Sequence, residues 1–345
     1  MPDSDFSSHD PENMYGAIRT FAQQFAVGRE AARDVPVPEH QPSQVVIAGM
    51  GGSAMGGDLL RSLAAPTAAV PILVNRGYTL PAHVDNQALV LVSSYSGNTE
   101  ETLSALHEAL AREAQIIALS SGGTVTALAA EHGFPVVEMP GGMQPRAALG
   151  YSLAALVTLA ERLELLPSQT EAWVEANRTL EGMSTREADP NTSLAYALAR
   201  RIGDYTPLVY SGNGLLETVN VRWRGQIQEN AKRLAFGNVL PELNHNEIMG
   251  WEEQAAVHEA LAIIMLRDVG DHPAVQRRAR VTKDLLMDRA GAWIDVESEG
   301  EARLTRLLST VHLGDWVSFY LAMQDAIDPT PVRLISKLKA TLADA

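Results

Sequence analysis

The chain has 345 residues, no cysteine, and 42 acidic against 27 basic side chains, a formal net charge of −15. Such a length exceeds the usual single core and predicts two domains. The charge argues against nucleic acid and anionic membranes as partners. The missing cysteines exclude disulfides, thiol nucleophiles and cysteine-ligated metals, and fit the cytosol. The acidic, polar start, Met1-Pro2-Asp3-Ser4-Asp5, is unlike a signal peptide. The most apolar helix candidate, around 147–159, is too short to span a bilayer. A cytoplasmic protein is expected.

In chain order, residues 1–10 are polar and predicted to fray, and residues 11–34 read as one amphipathic helix with Met14, Ile18, Phe21 and Phe25 inward. Pro36, Pro38 and Pro42 form a linker. Val45-Val46-Ile47-Ala48 is a buried strand running into a glycine turn, Gly49 to Gly57, and then a helix through Leu59, Leu60 and Leu63. Strands follow at 70–74 and 88–92. The second leads through Ser93-Ser94-Tyr95-Ser96-Gly97-Asn98-Thr99 into a helix with Leu103, Leu106 and Leu110 on one face. Strands at 116–119 and 134–138 complete a set of alternating strands and helices, the pattern of a parallel, doubly wound sheet. Residues 145–183 read as helices leaving that sheet. The sequence of strand, glycine turn and helix then recurs at 208–215, with further strands at 262–266 and 293–296 and a basic C-terminal helix. The fold class is therefore α/β with two related doubly wound domains, divided at 154/155.

Two turns of the first domain attract anions. A helix start offers unpaired N–H groups and the positive end of its dipole, and the hydroxyls of Ser94, Ser96 and Thr99 around Gly97 form a cradle for a phosphate monoester. The bland alternative is that Thr99 merely caps its helix. The other turn, Gly49-x-Gly51-x-x-Ala54, satisfies a dinucleotide fingerprint, and Asn75-Arg76 at the end of the next strand suits an NADP phosphate. Gly52 and Ser53 equally suit a compact anion. Both turns belong at the carboxyl edge of one sheet, where they can converge on one crevice. Arg146, in Gly141-Gly142-Met143-Gln144-Pro145-Arg146, is either the first-domain cation that pairs with the phosphate or an ordinary surface arginine at a helix start.

The second half holds candidates for proton chemistry. Glu229 lies in Gln228-Glu229-Asn230-Ala231-Lys232, on or just after a helix, where an isolated glutamate is ordinarily a solvated charge. His245 lies in Pro241-Glu242-Leu243-Asn244-His245-Asn246-Glu247, a segment that is a poor helix and a poor strand. It is either a solvated loop or a polar cluster bonded into a site, in which the histidine would shuttle protons near neutral pH. No second histidine stands at metal-ligand spacing.

Ser94-Tyr95-Ser96-Gly97-Asn98-Thr99 resembles the phosphate signature of the SIS (sugar isomerase) domain, a flavodoxin-like fold. With the Glu229 and His245 segments and Asp328-Pro329-Thr330-Pro331-Val332 through Lys337 and Lys339, the chain resembles the bifunctional phosphoglucose/phosphomannose isomerases over residues 45–339. That resemblance implies an aldose–ketose isomerase working through an enediol on sugar 6-phosphates, without metal or nucleotide, as a homodimer. Gly52, Ser53, Ser94, Ser96, Thr99 and Arg146 would hold the substrate. Glu229 would be the base, His245 would open the ring in the partner's site, and Lys337 would assist near the ring oxygen. Thr330 would leave room for the C2 epimer. The alternatives are a non-catalytic sugar-phosphate sensor and an NAD(P)-dependent oxidoreductase.

Overall fold

A computed structural model describes residues 6–253 and 255–343. They form two compact units. The first comprises 20–181 with 300–308, and the second comprises the chain up to Arg19, 182–299 and 309 onward. The division thus falls at 181/182, not at 154/155. The reason is the helix pair α6 (Leu149–Arg162) and α2 (Gln23–Arg33), which pack face to face, with α6 also on α3 (Gly51–Ala64). Leu149, Leu153, Leu156 and Val157 are fully buried there, so α6 completes the first unit.

The expected helix over 11–34 is two helices. α1 (Met14–Arg19) belongs to the second unit, and α2 opens the first. Met14, Ile18, Phe21 and Phe25 are all buried as expected. Residues 1–5 lie outside the described residues. Of the segment expected to fray, Phe6 and Asp10 are packed with Ser7, Ser8 and His9 exposed between them: Phe6 sits edge-on to Phe319 at 5.3 Å, and Asp10 accepts hydrogen bonds from Met14 N (2.7 Å) and Tyr15 N (2.8 Å).

The first unit is a five-stranded parallel sheet. Its strands are β1 (Val45–Ala48), β2 (Ile72–Asn75), β3 (Leu89–Ser93), β4 (Gln115–Ser120) and β5 (Val136–Glu138), in the order β2-β1-β3-β4-β5. This is the flavodoxin-like order, which places its topological switch point between β1 and β3. Those two strands pair from Val45↔Leu89 to Ala48↔Val92, so the turns that follow each of them emerge side by side. Both strands are apolar on both faces because helices cover the sheet twice. α4 (Glu100–Ala111) and α5 (Gly123–His132) follow β3 and β4, and α7 (Thr170–Ala188) carries the chain out of the unit.

In the second unit, α8 (Leu194–Ile202) starts on a Ser193 cap that accepts from Tyr196 N at 2.9 Å. Four parallel strands follow: β6 (Thr206–Gly212), β7 (Phe236–Leu240), β8 (Leu261–Arg267) and β9 (Ala292–Glu297), in the order β7-β6-β8-β9. α9 (Glu217–Asn230) joins β6 to β7, a short α10 (Ala255–His258) precedes β8, and α11 (Pro273–Leu286) joins β8 to β9. α12 (Arg303–Gln324) and α13 (Arg333–Ala343) end the chain. No helix among the described residues is long and apolar enough to cross a membrane. α9 shows a buried polar stripe at i, i+4, i+8. Arg222 and Gln226 donate to the two oxygens of Asp315 (2.7 and 2.9 Å), and Asn230 donates to Ser318 Oγ (2.9 Å). Buried charge on this scale is tolerated only when paired, as here. The stripe fixes the rotation of α9 about its axis and so decides which side chains face outward.

Candidate active site

At the β1/β3 switch point the two predicted anion turns meet. Tyr95 N donates to Ser53 Oγ at 3.2 Å, and Ser93 Oγ donates to the Ser53 carbonyl at 3.3 Å. Thr99 occupies the position before α4 but makes no capping bond. Its hydroxyl instead accepts from Ser94 Oγ at 3.2 Å. The bland expectation of a capping threonine is therefore not met, and α4 presents its first N–H groups without a side-chain cap. α3 begins in the same way after Met50. Two helix starts without side-chain caps, side by side, favour an anion more than either does singly. Ser96 is exposed at the lip of the turn, where its Oγ accepts from Asn98 N at 3.3 Å.

Arg146 is 3% exposed in a single 3-10 turn, residues 145–147, against the start of α3. A Cβ at Gly52 would lie 2.9 Å from the Pro145 carbonyl oxygen. Gly52 thus acts through packing: any side chain there would push the arginine's segment away. Sequence reasoning gave Tyr95 no role, yet it links the parts. Its hydroxyl donates to the Pro140 carbonyl (2.8 Å) and accepts from Met143 N (3.2 Å), so it ties the Ser94–Thr99 turn to the segment leading to Arg146. Burial holds its phenol above the ordinary value, which keeps it a donor. Its position inside the Ser-x-Ser-Gly motif, as a large aromatic in a polar turn, was the available signal. Arg76, the residue suited to an NADP phosphate, pairs instead with Asp58 of α3.

Gly97 makes the turn possible. Its φ is +70°, and a Cβ there would lie 1.7 Å from the Gly122 carbonyl oxygen of the neighbouring β4–α5 turn. Gly133 has φ +75° with nothing within 4 Å, so it isolates the conformational part of the cost. We expect Gly133→Ala to cost about 1–2 kcal/mol and Gly97→Ala to cost about 1–3 kcal/mol more through overpacking. Thermal unfolding of the two variants checks this, and equal midpoints would refute the steric account.

In the second unit, Glu229 borders the buried stripe of α9, half-buried in the wall of a cleft of about 940 Å³. α9 contributes Gly225, Gln228 and Glu229, with Lys232 just beyond its end. The opposite wall comes from Asp328, Pro331, Val332 and the first turn of α13, and a third side from Ser8, His9 and Pro11. This N-terminal arm was missed in the sequence. The available signal was Phe6, an aromatic in an otherwise polar run. Burial, reinforced by nearby Asp328, pushes the Asp10 carboxyl above its usual range, while its two N–H partners oppose the shift.

Thr330 is 2% exposed, behind the 328–332 wall, with its N–H donating to Asp328 Oδ1 at 3.0 Å. Lys337 is exposed on α13, just beyond Ile335, the last residue that lines the cleft. His245 is not in the Glu229 cleft. It is exposed at the end of a 3-10 turn after β7, while its neighbours are tied down. Asn244 donates to Thr282 Oγ1 (3.0 Å), Asn246 to Glu242 (2.7 Å), and Glu247 accepts from Asn238 (2.7 Å) and from the Tyr210 hydroxyl. The polar cluster is thus a built support that leaves the imidazole outward. It is not a merely solvated loop.

Two parallel-sheet units, the first bearing a Ser/Thr turn over helix starts without side-chain caps, define a two-domain SIS protein. Residues 191–342 match the bacterial phospho-glucose isomerase C-terminal SIS domain. Over 96% of its length the chain is 41% identical to a bifunctional phosphoglucose/phosphomannose isomerase of Caldicellulosiruptor bescii, 98% of which is covered. A relative of the same description from Aquifex aeolicus is 35% identical over 96% of this chain and 98% of its own. A glucose-6-phosphate isomerase like protein from Thermus thermophilus shares the fold, with a TM-score of 0.64 at 17% identity over 96% of this chain and 98% of that one. The chain belongs to the bifunctional phosphoglucose/phosphomannose isomerase family.

Proposed function

We propose that this enzyme interconverts glucose 6-phosphate and mannose 6-phosphate with fructose 6-phosphate. Ser53, Ser94, Ser96, Thr99 and Arg146 hold the phosphate, with Gly52 keeping the arginine's segment close. Glu229 takes the C2 proton of the open-chain aldose and returns it to C1, while the hydroxyl proton at O2 passes to O1, so that the aldose becomes the ketose through the enediol. His245, contributed by the second subunit of a homodimer, moves the proton that opens the ring, and Lys337 supports the ring oxygen. The protein acts in the cytoplasm. The observation that carries this reading is the place of Glu229: a carboxylate in the wall of an open cleft, on a helix held by the adjoining stripe bonded to Asp315 and Ser318. Abstraction of a proton α to a carbonyl needs one carboxylate so held.

The test is conversion of fructose 6-phosphate by the purified chain with a chelator present, followed as glucose 6-phosphate and, separately, as mannose 6-phosphate. Absence of both products would refute the reading. For the second substrate, Thr330→Gln should lower mannose 6-phosphate turnover at least ~10-fold relative to glucose 6-phosphate, the scale of a steric discrimination in a fitted pocket. Equal loss of both activities would point to general damage of the buried Thr330 site.

A further inference from the structure

We infer that Lys232 is a positioning residue, whose ammonium ties the end of α9 to the 328–332 wall and so fixes the cleft around Glu229. The inference rests on the role proposed for Glu229. α9 ends at Asn230 with Ala231 as its cap, and Lys232 follows with φ +58°. This is the left-handed position that ends many helices, where glycine is the low-cost occupant. A side chain is retained there despite the conformational cost, and an observed backbone outlier beside a cleft is grounds to ask what it serves. The Lys232 Nζ folds back and donates to the Glu229 carbonyl, one of the orphan carbonyls of the last helical turn. It also donates to the Pro329 carbonyl at 2.9 Å, 97 residues away.

The second bond matters because of what it holds. In Asp328-Pro329-Thr330-Pro331 two of the four residues lack an N–H, and the Thr330 N–H bonds within the segment, to Asp328. The wall therefore has few backbone N–H donors of its own. Asp328, Pro331 and Val332 line the same cleft as Glu229 and Lys232. One side chain thus bridges the helix that carries the base and the wall that faces it.

A helix-capping role alone would make Lys232 matter only for stability, and glycine separates the two accounts. Lys232→Gly relieves the left-handed backbone while removing the bridge. Lys232→Met removes the bridge and keeps the backbone cost, and Lys232→Arg keeps a donor. On the full chain, with fructose 6-phosphate as substrate, Lys232→Gly and Lys232→Met should lower kcat ~10-fold or more with KM changed less than about 2-fold. The melting midpoint of Lys232→Gly should be no lower than that of the unchanged protein, and Lys232→Arg should restore most of kcat. Amide hydrogen exchange at residues 327–335 should accelerate ~10-fold in Lys232→Met, a readout that needs no activity. A kcat within 2-fold of the unchanged protein in both bridge-less variants would overturn the inference. So would exchange at 327–335 that stays unchanged, or a kcat loss that merely follows a falling midpoint. If the unchanged protein turns over no substrate, the Glu229 reading fails by itself, and the exchange result alone decides whether the tie exists.

Discussion

Glu229→Gln is expected to lower kcat by about 10²–10⁴-fold with little change in KM, because a general base contributes on that scale and the amide cannot accept the proton. The fold should survive. Glu229 is half-buried beside the buried stripe of α9, and the anchors of that helix are the partners of Arg222, Gln226 and Asn230, none of which bonds to the Glu229 carboxylate. Trp223 adds a further anchor by donating to the Thr310 carbonyl at 2.9 Å. A direct measure is exchange of the substrate's C2 hydrogen with deuterated water, which samples proton abstraction even when net turnover is slow. Undiminished exchange in Glu229→Gln would remove the residue from the chemistry. Gln228→Ala, an exposed neighbour lining the same cleft, should leave exchange within a few-fold and serves as the control for general damage.

What could be read from the sequence followed how local each signal was. The strands of the first unit are unbroken apolar runs, and their glycine and serine turns announce themselves within ten residues. The crevice at β1/β3 is therefore legible in the sequence. β7 is not, because Phe236-Gly237-Asn238 is a poor strand sequence. It forms because it pairs with β6 and because buried Asn220 donates to the Asn238 carbonyl at 3.0 Å, a partnership visible only in three dimensions. The unit boundary was misplaced for the same reason. The apolar α6 resembles the start of a new domain, but the surface it covers belongs to α2 and α3. In the proposed catalytic region, Glu229 in isolation is an ordinary helical glutamate. Its place in the cleft wall depends on the adjoining stripe bonded to Asp315 and Ser318, nearly ninety residues later. The N-terminal arm beside the cleft was hidden by its polarity, although Phe6 and Asp10 pin it on either side of His9.

The exposed imidazole of His245 gives the second large effect. His245→Ala should lower turnover of cyclic substrates by about 10²–10⁴-fold, as expected for loss of an acid–base group. Its support remains, since Asn244, Asn246 and Glu247 keep their bonds to Thr282, Glu242 and Tyr210 without it. The informative measurement mixes His245→Ala with Glu229→Gln. Each is nearly inactive alone. If His245 serves the site of a second copy, half of the randomly re-associated dimers carry one site with both residues intact. Activity should then return to about a quarter of the unchanged level, because a two-fold dimer has two equivalent sites. If His245 serves its own chain, no mixed dimer has a complete site and the mixture stays silent. The absence of His245 from the Glu229 cleft favours the first outcome. The support around it explains how an exposed side chain can still be held in one orientation: Glu247 is fixed by Asn238 and Tyr210 on the β7 and β6 strands, and Asn244 by Thr282 on α11, so the residue between them is carried on a rigid platform rather than on a free loop.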